Sequence, residues 1–220
     1  MLVVTGGGGF IGSVLAAELN EAGHADLVIV DHFGSGDKWR NIAKREFSDI
    51  VPVEGLPAWL ERFGGEVEAV FHLGANSSTF ANDADDIIAT NLNASIALFK
   101  SHRPDYRDGE QRRDFVYVKD CVAAMLRLWR QGRNSGIYNL GTGEARSFLD
   151  LINALGAACG VAPKIEFIDI PPDIRPSYQY FTEAQMSRLR QAGYNAPFTP
   201  LEAAVHDFVT NHLAQSDPYV

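Results

Sequence analysis

No stretch constrains this chain more than Thr5-Gly6-Gly7-Gly8-Gly9-Phe10-Ile11-Gly12, near its start. Four consecutive glycines serve either as a flexible turn or as a loop whose backbone closes around a phosphate, and glycine count alone does not choose between them. The flanking sequence does. Residues 2–4 are an apolar strand, and Phe10 to Ala22, with Ile11, Leu15 and Leu19 on one face, has helical spacing that stops at Gly23. Gly6, Gly9 and Gly12 therefore join a strand to a helix. The first permits the tight turn, the second lets the backbone approach a pyrophosphate, and the third lets helix and sheet pack closely. Backbone N–H groups at the helix N-terminus then face the anion. A second apolar strand, Leu27–Val30, ends in Asp31, about 20 residues on, where a carboxylate accepts hydrogen bonds from an adenosine ribose. Together these features predict a dinucleotide site.

Lys38, Arg40, Lys44 and Arg45 follow, four cations within reach of a ribose 2′-phosphate, so NADP is the expected cofactor and NAD the alternative. A solvated basic helix face accounts for the same residues equally well. Further strands are expected at 50–53 and 69–73, with helices at 57–63 and 83–100. The resulting βαβαβα alternation predicts a doubly wound, Rossmann-type α/β parallel sheet. The polar run 101–114 reads as a linker. Beyond it we expect an extended segment at 115–118, helices at 121–130 and 148–159, strands at 137–140 and 165–168, and helices at 182–190 and 201–213.

With 220 residues, 46% of them hydrophobic, the chain suffices for one α/β domain with a small appendage. A net charge of −9 disfavours a nucleic-acid partner, because neutralising phosphates needs a basic face. The two cysteines, Cys121 and Cys159, and the six histidines lack metal-ligand spacing, so no metal is expected. The absence of a basic leader and of a long apolar run points to a cytoplasmic protein with no membrane partner.

TGGGGFIG, His72-Leu73-Gly74-Ala75, Arg113-Asp114-Phe115-Val116-Tyr117-Val118-Lys119-Asp120 and Tyr138-Asn139-Leu140-Gly141-Thr142-Gly143 together resemble the extended short-chain dehydrogenase/reductase family that acts on nucleotide sugars (the NAD-dependent epimerases and dehydratases). DHFGSGDKWRN at 31–41, HLGANSST at 72–79 and SYQYFTEAQMSRLRQAGYNAPFTPLEAAV at 177–205 resemble its ADP-heptose epimerase branch. The resemblance implies an isomerase that oxidises C6 of an ADP-heptose transiently with NADP, in the synthesis of the lipopolysaccharide core. It also implies that Phe10, Ile11, Asp31, His32, Lys38, Leu73, Gly74, Ala75, Asn76 and Ser77 contact the cofactor, beside Gly6, Gly9 and Gly12. Ser78, Arg113 and Tyr178 match substrate-binding positions.

The chain also departs from that pattern. Leu73 to Ser77 replace the family's Glu-Gly-Ala-Cys-Ser, Ala81 to Ala84 replace Glu-Trp-Asp-Gly, and no lysine stands near Val53. The superfamily's acid/base pair is a tyrosine with a lysine four positions later, whose ammonium favours phenolate. None of the five lysines, 38, 44, 100, 119 and 164, has a tyrosine four positions before it. No catalytic residue is therefore assigned. Tyr117 and Lys119 are a conceivable substitute, since residues two apart on a strand share a face. The expected organisation is a dinucleotide-binding half at 1–100, a linker at 101–112 marking an internal deletion, and a C-terminal sugar-nucleotide lobe at 113–220. A chain so built is expected to bind its ligands without turning them over. It is also expected to associate, as a homo-oligomer or otherwise, through an exposed sheet edge.

Overall fold

The computed structural model describes residues 1–74, 96–132 and 136–219. Two compact units result. The first holds residues 1–78 and, after the chain returns to it, 217–220; the second holds 79–216.

In the first unit, β1 (Leu2–Thr5), β2 (Leu27–Val30), β3 (Asp49–Val51) and β4 (Ala69–His72) form a parallel sheet in the order β3-β2-β1-β4. Register is fixed by Val3 opposite both Val28 and Val70, and by Ile29 opposite Ile50. Every residue of β1 and β2 is buried, as continuous apolar runs in a parallel sheet should be. The helix α1 (Phe10–Glu21) buries Val14, Leu15 and Leu19. The helix α2 (Leu56–Phe63) brings Leu56 and Trp59 against Val3, Val28, Val30 and Val51. β4 alternates between partly buried and exposed residues, with Val70 49% exposed, and among the described residues no strand pairs with its outer edge. The four-stranded doubly wound sheet agrees with the sequence expectation.

The second unit is built from β5 (Ile96–Phe99), β6 (Arg112–Arg113), α3 (Val118–Gln131), β7 (Arg146–Ser147), α4 (Phe148–Cys159), β8 (Ile165–Ile168), α5 (Ser187–Gln191) and α6 (Leu201–Phe208). β5 lies parallel to β8, β6 antiparallel to β7, and α4 packs against α6. The helix α4 starts where the Ser147 hydroxyl accepts from the Asp150 N–H at 3.0 Å and the Asp150 carboxylate accepts from the Ser147 N–H at 2.9 Å. A small core joins Ala124, Leu189 and Tyr194 to Leu128, Tyr138 and Phe198.

Several elements depart from sequence expectation. Residues 96–99 end a predicted helix but form a strand, because a short apolar run carries no period of its own and here pairs with β8. The rest of that helix, 83–95, lies outside the described residues. Residues 101–112 are not a loose linker. The Ser101 N–H donates to Asp108 Oδ1 at 2.6 Å, the His102 N–H to the Tyr180 hydroxyl at 3.0 Å, and the Gln111 amide, itself fully buried, to the Phe99 carbonyl at 2.9 Å. Residues 137–140 form no strand, and Ile137 is 81% exposed. The predicted helix at 182–190 shrinks to α5, because the N–H groups of Thr182 and Ala184 are already committed, to the Arg112 carbonyl and to the Asp114 carboxylate.

Candidate functional site

The glycine loop closes on itself between β1 and α1. The Gly6 N–H donates to the Val30 carbonyl at 2.8 Å, Gly9 to Gly6 at 2.9 Å and Ser13 to Gly9 at 2.9 Å. Glycine is required at two of these positions. Gly6 has φ +69° and a Cβ there would stand 2.7 Å from the Gly74 nitrogen, while a Cβ on Gly12 would stand 2.1 Å from the Gly6 oxygen. The N-terminus of a helix, where backbone N–H groups lack intrahelical acceptors, suits an anion, and α1 begins at this loop. Phe10 and Ile11, on that turn, are 57% and 40% exposed and present apolar surface beside the loop.

Two further segments reach the loop. Beyond β4, Leu73 donates to the Thr5 carbonyl at 3.0 Å and Gly74 to the Thr5 hydroxyl at 3.2 Å, which places both beside Gly6. Ala75, Asn76, Ser77 and Ser78 lie outside the described residues. From β2, the Asp31 side chain is only 8% exposed. Its Oδ2 accepts from the Gly8 N–H at 2.8 Å, and its Oδ1 from the His32 N–H at 2.7 Å and Lys38 Nζ at 2.6 Å. A carboxylate has about four acceptor positions, so one remains on Oδ2 for a ribose hydroxyl. The His32 ring extends to Glu54 at 2.9 Å. A loop that a Cβ would fill and a buried carboxylate with spare acceptor capacity fit the adenosine end of a dinucleotide.

Of the four cations expected near a 2′-phosphate, Lys38 alone is seen on Asp31. Arg40 and Lys44 are engaged with residues 217–219, and the Arg45 Nε is buried without a hydrogen-bond partner among the described residues. Sequence reading missed Asn41, whose amide donates to the Gly8 carbonyl at 2.8 Å and ties the 37–42 turn to the loop. An asparagine among charged residues gives no periodic signal that would find it.

In the second unit the two predicted substrate residues meet. The Arg113 guanidinium lies 5.6 Å from the centre of the Tyr178 ring and 5.7 Å from that of Phe148. It donates to the carbonyls of Arg112, at 2.8 Å, and Gln179, leaving three of its five N–H donors for an anion. Tyr178 packs edge-on against Phe99 and Tyr180, and burial raises its hydroxyl pKa. The neighbouring Asp114 binds this region together. It accepts from the Thr142 N–H at 2.7 Å, the Thr142 hydroxyl at 2.6 Å, the Gly143 N–H at 2.9 Å and the Ala184 N–H at 3.0 Å. Those bonds outweigh burial and lower its pKa. Its partners stand 28, 29 and 70 positions away in the chain, so no local pattern announces them.

Tyr117 and Lys119 do converge, but on a carboxylate. The Tyr117 hydroxyl donates to Asp207 Oδ2, Lys119 Nζ reaches the same oxygen at 3.0 Å, and the Asn211 amide takes Oδ1 at 2.7 Å. Burial and then the bond to Asp207 push the Tyr117 pKa well above the ordinary tyrosine value, while the Tyr117 and Lys119 bonds hold Asp207 at about 2. A tyrosine acting as acid/base needs the opposite shift. This trio joins the start of α3 to α6.

The parallel 3-2-1-4 strand order with a glycine loop and an acidic β2 terminus defines a Rossmann-type α/β fold. The chain belongs to the NAD dependent epimerase/dehydratase family, whose model matches residues 2–105 and 102–141. It is 31% identical to ADP-L-glycero-D-manno-heptose-6-epimerase of Nitratidesulfovibrio vulgaris and 30% identical to the protein of that name from Fusobacterium nucleatum subsp. nucleatum, with each chain covered in full. The first alignment runs over 329 positions against 220 residues, so about 109 positions stand opposite no residue of this chain. Its fold is similar to that of UDP-glucuronic acid 4-epimerase from Bacillus cereus, solved with UDP-glucuronic acid and NAD, at TM-score 0.71 and 17% identity, covering 96% of this chain and 99% of that one. Among the described residues, no helix is long and apolar enough to cross a membrane.

Proposed function

We propose that this chain binds NADP by its adenosine end and an ADP-heptose through its second unit, without epimerising the sugar. Asp31 carries the reading of the first site. It is a buried carboxylate fixed by the glycine loop, with one acceptor position left for ribose. When bound, the cofactor supplies a hydride acceptor and donor; the chain's own residues hold and orient. Gly6, Gly9 and Gly12 with the α1 N-terminus would receive the pyrophosphate, Lys38 and His32 would meet a 2′-phosphate, and Leu73 and Gly74 border the loop beside Gly6. In the second unit Arg113 and Tyr178 take the sugar nucleotide, with Arg113 on its diphosphate. The names of the curated relatives favour ADP-heptose, hence a place in lipopolysaccharide core synthesis in the cytoplasm.

Catalysis is absent from this reading because no lysine follows a tyrosine by four positions and because Tyr117 is committed to Asp207. The missing block accounts for the loss. The family model matches in two pieces that meet at 102–105, within the 101–112 stretch where the deletion is expected, and the loss leaves β4 as an open edge for association. The test incubates the protein with NADP and ADP-D-glycero-D-manno-heptose and looks for the L-glycero product. Titration should show heat with NADP and ADP, and no product should form. Turnover above that of a Lys119→Ala control would overturn the reading, and so would absence of binding at millimolar ligand. Turnover of a different nucleotide sugar would support another reading, an epimerase or dehydratase of changed substrate.

A further inference from the structure

Residues 217–219 return to the first unit and meet the turn that carries Lys38. The Arg40 guanidinium lies 4.5 Å from the centre of the Tyr219 ring, Lys44 Nζ donates to the Tyr219 carbonyl at 2.5 Å, and the same ammonium pairs with Asp217 at 3.1 Å. The 37–42 segment is a 3₁₀ turn, in which residues three apart eclipse. Lys38 and Asn41 thus share a face, and that face is bonded to Asp31 and to the Gly8 carbonyl. Arg40 projects elsewhere, onto Tyr219. One short turn is therefore held from two sides, by the adenosine site and by the returning segment.

We propose that Tyr219 and Asp217 are positioning residues that act through Arg40 and Lys44 to hold the 37–42 turn, and with it Lys38, against the ribose-binding carboxylate. The inference rests on the adenosine-site reading above. It reassigns two of the four cations from the ligand to the scaffold, because an arginine stacked on Tyr219 and a lysine closed on Asp217 serve the turn. A ligand that needs the docked turn binds in proportion to the fraction of molecules in which it is docked. Loss of a partly exposed cation–ring contact should lower that fraction enough to weaken binding about two- to five-fold.

The experiment titrates ADP-ribose into the full chain and into Tyr219→Ala, Tyr219→Phe, Arg40→Gln and the Arg40→Gln/Tyr219→Ala double variant, with thermal midpoints recorded in parallel. Tyr219→Ala should weaken binding about two- to five-fold with its melting midpoint nearly unmoved. Tyr219→Phe, which keeps the ring, should restore it, and the double variant should bind no worse than Arg40→Gln alone. Parent-like affinity in Tyr219→Ala would overturn the proposal, as would additive losses in the double variant or a loss that Tyr219→Phe fails to restore. Should Tyr219→Ala melt much earlier, amide exchange across 37–42 in Tyr219→Phe and Arg40→Gln decides: protection retained in Arg40→Gln overturns the proposal, and protection lost there but kept in Tyr219→Phe supports it. If the unsubstituted chain itself fails to bind ADP-ribose, the adenosine site is wrong and this inference falls with it, an outcome distinct from equal binding by all variants.

Discussion

Replacing Tyr117 by Phe separates a structural tyrosine from a catalytic one. The substitution keeps the ring and removes one donor from Asp207, which retains Lys119 at 3.0 Å and Asn211 at 2.7 Å. A hydrogen bond to a charged group contributes about 1.5–3 kcal/mol. The Asp207 side chain is 34% exposed, so water recovers part of that, and a loss of about 1 kcal/mol is expected. The pH dependence has a definite sign. Asp207 is depressed to about 2 from an ordinary 3.8, so its stabilisation is complete above about pH 4 and disappears as pH falls toward 2. Tyr117 is raised above its ordinary value of 10.0, so its share is intact below that and is lost only as pH climbs past it. The parent and Tyr117→Phe should therefore differ by a constant amount from pH 5 to 8 and converge near pH 2. Urea unfolding followed at Trp129, in α3, with Trp39 and Trp59 replaced by Phe, reads this in the second unit. Equal stability at pH 7 would refute the argument. So would a tyrosine absorbance titration showing a group below pH 9 in the parent that vanishes in Tyr117→Phe, for that is the signature of an activated phenolate.

Two further outcomes follow from the adenosine site. Gly12→Ala puts a methyl 2.1 Å from the Gly6 oxygen, so it should cost about 1–3 kcal/mol in a melt of the first unit and abolish ADP-ribose binding by calorimetry; parent-like binding would show that the close approach is dispensable. Lys38→Ala should weaken binding of 2′-phospho-ADP-ribose about ten-fold and that of ADP-ribose much less, whereas equal losses would argue for NAD over NADP.

The N-terminal half was legible because its signals are local. A glycine that must turn, a glycine that must admit a helix, two continuous apolar runs and a carboxylate at the end of the second all lie within 31 residues. Asp31 and Lys38, both expected beside the cofactor, stand seven positions apart and pair with each other. The second unit was harder to read because its short strands have no period of their own. Residues 96–99 take the strand conformation only because β8 lies alongside, and Thr182 to Met186 avoid the helix only because Arg112 and Asp114 claim two of their amides.

The sequence by itself determined the dinucleotide cradle and the lack of a tyrosine–lysine pair at helical spacing, since both are matters of residue type at short separation. Tertiary structure decided which charges gather at the glycine loop and which hold residues 217–219. Lys38 faces Asp31 while Arg40 and Lys44 turn to Tyr219 and Asp217, and Tyr117 is bound by an aspartate 90 positions away. Charges act over a few ångströms whatever their separation along the chain, so their partners become known only when the chain has folded back on itself.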